Sequence, residues 1–540
     1  MKSDKINPNN TVYWLPTLIS LCLYAPFSSA NSALCHSLRT PCIAVVPNAI
    51  PLMSPIDKFD EPLMEVMVDT LIDKFDGSCN NGDCSLREAI HVVADGGIIR
   101  FALQGTLDLS GLNEQLVIDK NLTLMGNPDS ELTLSGGNST RILFVNTDKS
   151  LTLKYINIVN GQGQTGDETF GDGSGIFNQG NLFIEYSTIA HNQGTPDSFG
   201  GGIYNKGNLD IRFSTITDNR SLIGGGIYNL GQLNISHSLL SSNQAEAYGG
   251  GLENLSTATL INSTLFDNRA NDEGGGIDNI EGQLSLSFTT LAANQASFGS
   301  GLNNLAGGMA EVTHSIIAAN ISPVTDQFAD CGLEAINSLG FNLTGIGTGC
   351  AHDGIGDQTI DADKVFTEVL GDLSDEGGPT LTLPLLPNSP AIDAGDPSGT
   401  PTAPFDQRGP GFPRVINDIS DIGAFEFSPP ALHITLNALT AEAQANHVLL
   451  HWQTASEENH AEFHLWRAQK NPQGHYHNIQ WLTQHQAVAA QGERYQMTPY
   501  QFEDSNQLIP GQTYYYLLGS VDTQGQLTLH WDFLTSVVVD

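Results

Sequence analysis

A chain of 540 residues with 59 acidic and 21 basic side chains, a formal charge of −38, repels phosphate backbones and anionic lipid. Nucleic acid is thereby excluded as a ligand, and an acidic polysaccharide is disfavoured unless calcium bridges the two. The length calls for more than one domain.

In chain order, Lys2 and Lys5 precede an apolar stretch from Val12 to Pro26 that closes in the small residues Ser28 to Ala33, the pattern of a secretory signal peptide over residues 1–33. That stretch is shorter than the ~20 residues of a spanning helix, and no second one follows, so no membrane span is expected after cleavage. Of the seven cysteines, Cys22 lies inside the signal. Cys35, Cys42, Cys79, Cys84, Cys331 and Cys350 remain, and their order suggests three local disulfides in an oxidising compartment. A linker is read over 34–65 and an N-terminal cap over 66–96. Within the cap, Ser85 followed by Glu88 is a capping box opening a short helix from Leu86 to about Val93, placed to cover an open end of the domain that follows.

From Gly173 to Asn320 one unit recurs: Gly-Gly-Ile-Tyr-Asn, a turn, Leu-x-Ile, then Ser-Thr-Ile and a second asparagine. The first asparagine falls at Asn178, Asn205, Asn229, Asn254, Asn279 and Asn304, at spacings of 27, 24, 25, 25 and 25 residues. A period near 25 residues built of short β-type segments cannot bury an apolar face alone, whereas stacked coils can. Alternation such as Leu209-Asp210-Ile211 puts Leu and Ile inside and polar residues outside. The fold class is therefore all-β, a right-handed single-stranded parallel β-helix over about 97–428. The asparagines are read as structural, tolerating left-handed corners and bonding their equivalents about 4.8 Å along the axis.

The residue before each first asparagine is Phe177, Tyr204, Tyr228, Glu253, Asp278 and Asn303, an outward column that turns from aromatic to acidic. Phe177, Tyr204 and Tyr228 are candidate platforms for sugar rings, or they pack on one another and stiffen the coil. Glu253 and Asp278, one coil apart, must bind a cation, share a proton or splay into water. With Asp267, Asp272 and Glu273 they form a candidate calcium site of oxygen ligands; the blander reading is a solvated acidic patch. A role for the pair as glycosidase acid and base is disfavoured, because nothing else nearby speaks for a sugar cleft.

After Pro430 the glycine-rich ladder stops and nine of the fifteen histidines follow. Alternating segments at His447–Trp452, Glu462–Arg467, Tyr514–Ser520 and Leu527–Trp531 predict a small β-sandwich over 432–540, with Trp452 in its core.

Four stretches of the chain carry family resemblance. The stretch Cys84-Ser85-Leu86-Arg87-Glu88-Ala89-Ile90 resembles the CSLREAI domain that opens many secreted bacterial β-helix proteins. Gly377-Gly378-Pro379-Thr380, Ser389-Pro390-Ala391-Ile392-Asp393 and Asp421-Ile422-Gly423-Ala424-Phe425-Glu426 resemble a choice-of-anchor Q domain over about 331–428, where Cys331 and Cys350 fall at that family's usual pair. The intervening coils are similar to polymorphic-outer-membrane-protein and pectate-lyase-like repeats, and the last domain resembles fibronectin type III. These resemblances imply an extracellular or surface-attached protein without an assigned reaction. The function expected is non-catalytic presentation of a surface for adhesion or for binding glycan or matrix. The alternatives are a polysaccharide lyase or glycoside hydrolase working in a groove, or a structural envelope component.

Overall fold

Leu182, Leu209, Leu233, Ala258, Leu284 and Ala310 lie in parallel register, each over its equivalent in the next coil. Ile184, Ile211, Ile235, Leu260, Leu286 and Val312 repeat this two residues on, and all are buried in one aliphatic core. Alternation sends every second side chain inward, and the period keeps those positions aligned from coil to coil. The computed structural model describes residues 63–540 except 80–81, 164–170, 325–329, 333–335, 346–349, 351–352, 400–402, 417, 429–435, 445–446, 455–459, 471–475, 484–486, 491–497, 506, 523–526 and 540. The predicted signal peptide, the linker up to residue 62, and Cys35 and Cys42 lie outside the described residues.

The chain is a parallel β-helix. Its long sheets are parallel throughout, and one of them runs through eight strands from Leu116–Ile118 to Leu302–Leu305. Among the described residues no helix is long and apolar enough to cross a membrane. Ser85 accepts from the Glu88 amide at 3.2 Å while Glu88 Oε2 accepts from the Ser85 amide at 2.9 Å, so the capping box forms and starts helix α1 (Leu86–Val92). Leu86, Ala89 and Ile90 of α1 close the end of the core. The Cys79–Cys84 disulfide ties down the loop leading into α1, and Cys331–Cys350 forms as well.

Two predicted boundaries shift. Stacking begins before Gly97, because Leu63–Val68 pairs in parallel with Val93–Phe101; Leu63, Met64 and Met67 are exposed while Val66 and Val68 are buried, and apolar residues at both parities hide the strand in the sequence. At the other end, the last stacked strand is Gln358–Ile360. The chain then turns back along the flank of the rod: Asn262 Nδ2 donates to Phe405 O at 2.8 Å, Thr264 Oγ1 to Gln407 Oε1 at 2.6 Å, and the Ala424 amide to Thr290 Oγ1 at 3.0 Å.

The asparagines stack inside the coils. The amide of Asn178 donates to Asn205 Oδ1 at 2.7 Å, and the relay continues through Asn229, Asn254 and Asn279 to Asn304. A second relay runs from Asn192 through Asn219, Asn243, Asn268 and Asn294 to Asn320, and ends on Asp330. In these coils the left-handed corners lie instead at the residues just before this second set, His191, Asp218, Ser242, Asp267, Ala293 and Ala319, and at a second column, Tyr186, Phe213, His237, Asn262, Phe288 and His314. Inward asparagine amides serve the next coil, so the strained backbone falls on their outward neighbours, whatever their type.

The C-terminal segment forms a two-sheet antiparallel sandwich. One sheet joins Leu436–Gln444, His447–Thr454 and Thr498–Asp504. The other orders Tyr476–Trp481, His460–Lys470 and Thr513–Asp522, with Leu527–Leu529 and Thr535–Val538 both pairing the last of these. Trp452 is buried between them, stacked on Tyr500 with centroids 5.4 Å apart.

Replacing Asn254 by Leu breaks the amide relay on both sides inside the rod and is expected to cost roughly 2–4 kcal/mol. The same change at the exposed Asn208 should stay within about 0.5 kcal/mol. Urea unfolding midpoints of the two variants check the contrast.

Candidate functional site

Along the eight-stranded sheet, the middle residues of successive strands stack in register as Phe144, Phe177, Tyr204, Tyr228, Glu253, Asp278 and Asn303. The spacing brings this column together as the sequence indicates, but it does not face solvent. Phe177 is 1% exposed and Tyr204 5%, and Tyr228 is only partly accessible. The cause is the glycine pair ahead of each strand. Gly224 and Gly249 adopt φ of +65° and +64°, and a Cβ there would meet Tyr228 Cβ at 2.9 Å and Glu253 Oε2 at 2.6 Å. Only glycine lets the chain cross so closely over the side chain of its own strand.

Under that cover the rings spend their faces on one another, with centroids 5.1 Å apart for Phe144–Phe177, 4.8 Å for Phe177–Tyr204 and 5.2 Å for Tyr204–Tyr228. Phe199 closes the last of them at 5.0 Å. The buried Arg141 guanidinium sits 5.3 Å from the Phe177 centroid, and Lys206 Nζ 5.2 Å from that of Tyr204. The reading of these rings as open sugar platforms is therefore corrected: they are packing.

The acidic half is buried too, Glu253 to 2% exposure and Asp278 to 0%, so the solvated-patch reading is also corrected. Glu253 Oε2 and Asp278 Oδ2 meet no donor. Asn303 Nδ2 donates to Asp278 Oδ1 at 2.9 Å and to Glu273 Oε2 at 3.1 Å. Burial, with the charges of Asp278 and Glu273 beside it, pushes the Glu253 carboxyl up to about 10. Burial pushes Asp278 up to about 7, against the pull of the Asn303 amide. With two buried carboxyl oxygens lacking a donor, burial and the neighbouring acid favour a protonated, uncharged form within this pair.

The five candidate calcium ligands do not converge. Asp267 stands at a left-handed corner and pairs with Arg269 at 3.0 Å, and Asp272 is exposed. Glu253, Asp278 and Glu273 stay together, yet the partner between the last two is an amide nitrogen, a donor suited to carboxylates and not to a cation. Among the described residues no three Asp, Glu, His or Cys side chains are grouped to hold a metal ion.

Sequence reasoning missed Asp330. It is buried, caps the second asparagine relay through the Asn320 amide at 2.8 Å, and burial raises it to about 6; its position beside the bridged Cys331 was the available signal. In the returning segment, Asp406 chelates Arg408, which lies between Phe412 and Phe425 at 4.2 and 3.9 Å from their centroids. Arg414 bonds Glu426 at 2.9 Å and Asn262 at 3.3 Å. The two ion pairs are internal to the returning segment and hold its turns, and the Arg414–Asn262 bond fastens it to the rod.

No family model matches the chain, and no curated protein does. Among solved structures it is similar to the enzymatically active domain of tailspike protein 4 of bacteriophage CBA120, at 10% identity and a TM-score of 0.18. The match covers 82% of this chain and 64% of that one, so less than two thirds of the tailspike domain is spanned. A likeness this remote carries no function.

An acid whose pKa rises on folding binds its proton more tightly in the folded state. The stability it contributes is complete below about pH 4 and is lost as pH climbs through about 7 for Asp278 and toward about 10 for Glu253. Glu253→Gln keeps a donor for Asp278 without the ionisable proton. At pH 8 it should raise stability by on the order of 2–4 kcal/mol and flatten the fall between pH 5 and 8. Denaturant midpoints across that range measure it; an unchanged slope would mean that the pair does not share a proton.

Proposed function

We propose that this chain is a secreted display protein that binds a neutral glycan or a glycan-bearing matrix along its rod without cleaving it. The observation that carries the reading is the outward face of the long parallel sheet. Asn181, Asn208, Gln232, Thr257 and Gln283 occupy equivalent positions on successive strands, each accessible to solvent. Amides and a hydroxyl thus recur about every 4.8 Å along the axis. A ladder of neutral donors and acceptors on a chain of charge −38 suits a hydroxyl-rich, uncharged polymer.

Catalysis is the weaker reading, because a general acid must come within hydrogen-bond reach of the bond it protonates. Glu253 and Asp278 lie beneath the glycine crossings, and a sugar chain has no approach to them. The two disulfides favour an oxidising, extracellular setting. In this reading the sandwich serves as spacer or adhesion module.

The test is a glycan array and a depolymerisation assay on the full chain, with and without calcium. Retention of neutral glycans without cleavage is expected. Gln232→Glu together with Asn208→Asp should weaken retention about tenfold by desolvating charge against a neutral ligand, and Glu253→Gln should leave it unchanged. Release of unsaturated oligosaccharides or new reducing ends would overturn the non-catalytic reading.

A further inference from the structure

Three of the five tryptophans of the chain, Trp466, Trp481 and Trp531, belong to one sheet of the terminal sandwich and to the turn after it. On the strand His460–Lys470, Phe463, Leu465 and Arg467 point into the core. By alternation Trp466, Ala468 and Lys470 point outward. On the paired strand Thr513–Asp522, Tyr514, Tyr516 and Leu518 are core residues, so Tyr515 and Leu517 share the outer face with Trp466. An outer sheet face normally carries polar side chains. Here Ile479 is 66% exposed, Trp531 58% and Trp481 42%, and a contiguous apolar surface of this kind marks a place where something binds.

The face is not flat. Trp466, Tyr515 and Leu517 floor a pocket of about 240 Å³. Ile479 of the edge strand also lines it, as do Leu529 at the end of the strand Leu527–Leu529 and Trp531 and Leu534 of the turn that follows. Among the described residues no carboxylate lines it. Arg467 lines the pocket as well, but its guanidinium is taken inward by Asp504 at 2.7 Å, and the ammonium of Lys470 stands against two of the lining rings. Its Nζ lies 4.6 Å from the Tyr476 centroid and 4.4 Å from that of Tyr515, both lining residues, and it has no carboxylate partner among the described residues.

We propose that this pocket binds a monoanionic amphiphile, of which a medium-chain carboxylate is the simplest: the apolar chain lies among the tryptophans and leucines and the anionic head meets Lys470. The charge pattern selects that occupant. A chain of formal charge −38 repels anions almost everywhere, yet beside this apolar pocket Lys470 sets an ammonium against two lining rings, and among the described residues no acid lines it. A neutral sugar is the poorer fit, since its hydroxyls would be buried against side chains that offer almost no partner.

The full chain is titrated with decanoate, octanoate, decanol and a neutral gluco-oligosaccharide below micelle-forming concentrations, read by tryptophan fluorescence and calorimetry. One decanoate per chain is expected, with affinity falling roughly fourfold per methylene removed. Lys470→Met should weaken decanoate roughly tenfold and leave decanol unchanged. Trp531→Ala, at an exposed position that leaves the sandwich core intact, should weaken both. The proposal is overturned if decanoate fails to bind, if its affinity ignores chain length or Lys470→Met, or if the oligosaccharide saturates the site in its place. Each of these results is independent of glycan retention by the rod, so the two readings fail separately.

Discussion

Everything in the rod depends on coils that lie squarely on one another. A single coil of short strands cannot shield its aliphatic residues, and within the coil its inward asparagines reach only the turn beside them, as Asn178 does at Gly180; the next coil in register covers the first and completes the bonding of the second. The amide relay from Asn178 to Asn304 makes that register discrete, because a slip of one residue would strand buried amides as well as turn Leu and Ile outward. Burial of the aliphatic column supplies the bulk of the stabilisation, and the relay supplies its uniqueness.

The same stacking explains why the column of aromatic and acidic residues is closed. The glycine pair that opens each unit carries the backbone across the outer face of the strand that follows, so a position outward by alternation becomes interior by coverage. Aromatic rings answer this by stacking. Two carboxyls answer it by keeping a proton, at a cost that grows as the solution becomes less acidic. The acidic pair is a conditional element inside an otherwise unconditional stack, and it concerns stability, not chemistry performed on a ligand.

Surfaces fit for partners lie elsewhere and differ in kind. The long sheet of the rod presents neutral amides at regular intervals, a property of the repeat itself. The sandwich presents a pocket of tryptophans and leucines beside one ammonium, a property of four chain segments brought together once. Repetition suits a polymeric ligand and the single pocket suits a discrete one.

By itself the amino-acid sequence determined the coil, its inward residues, the capping box at Ser85 and Glu88, and the Cys79–Cys84 and Cys331–Cys350 bridges. Each rests on interactions whose spacing is local or periodic, and periodicity is visible in a linear chain. Tertiary structure alone decided that Glu253 and Asp278 are dry, that residues after Ile360 return along the flank to Asn262 and Thr290, and that three tryptophans share one outer face. Those outcomes turn on what lies over a side chain. The covering segment is set by close backbone approach at glycine, or by contacts as many as 152 residues apart, and neither leaves a period to read.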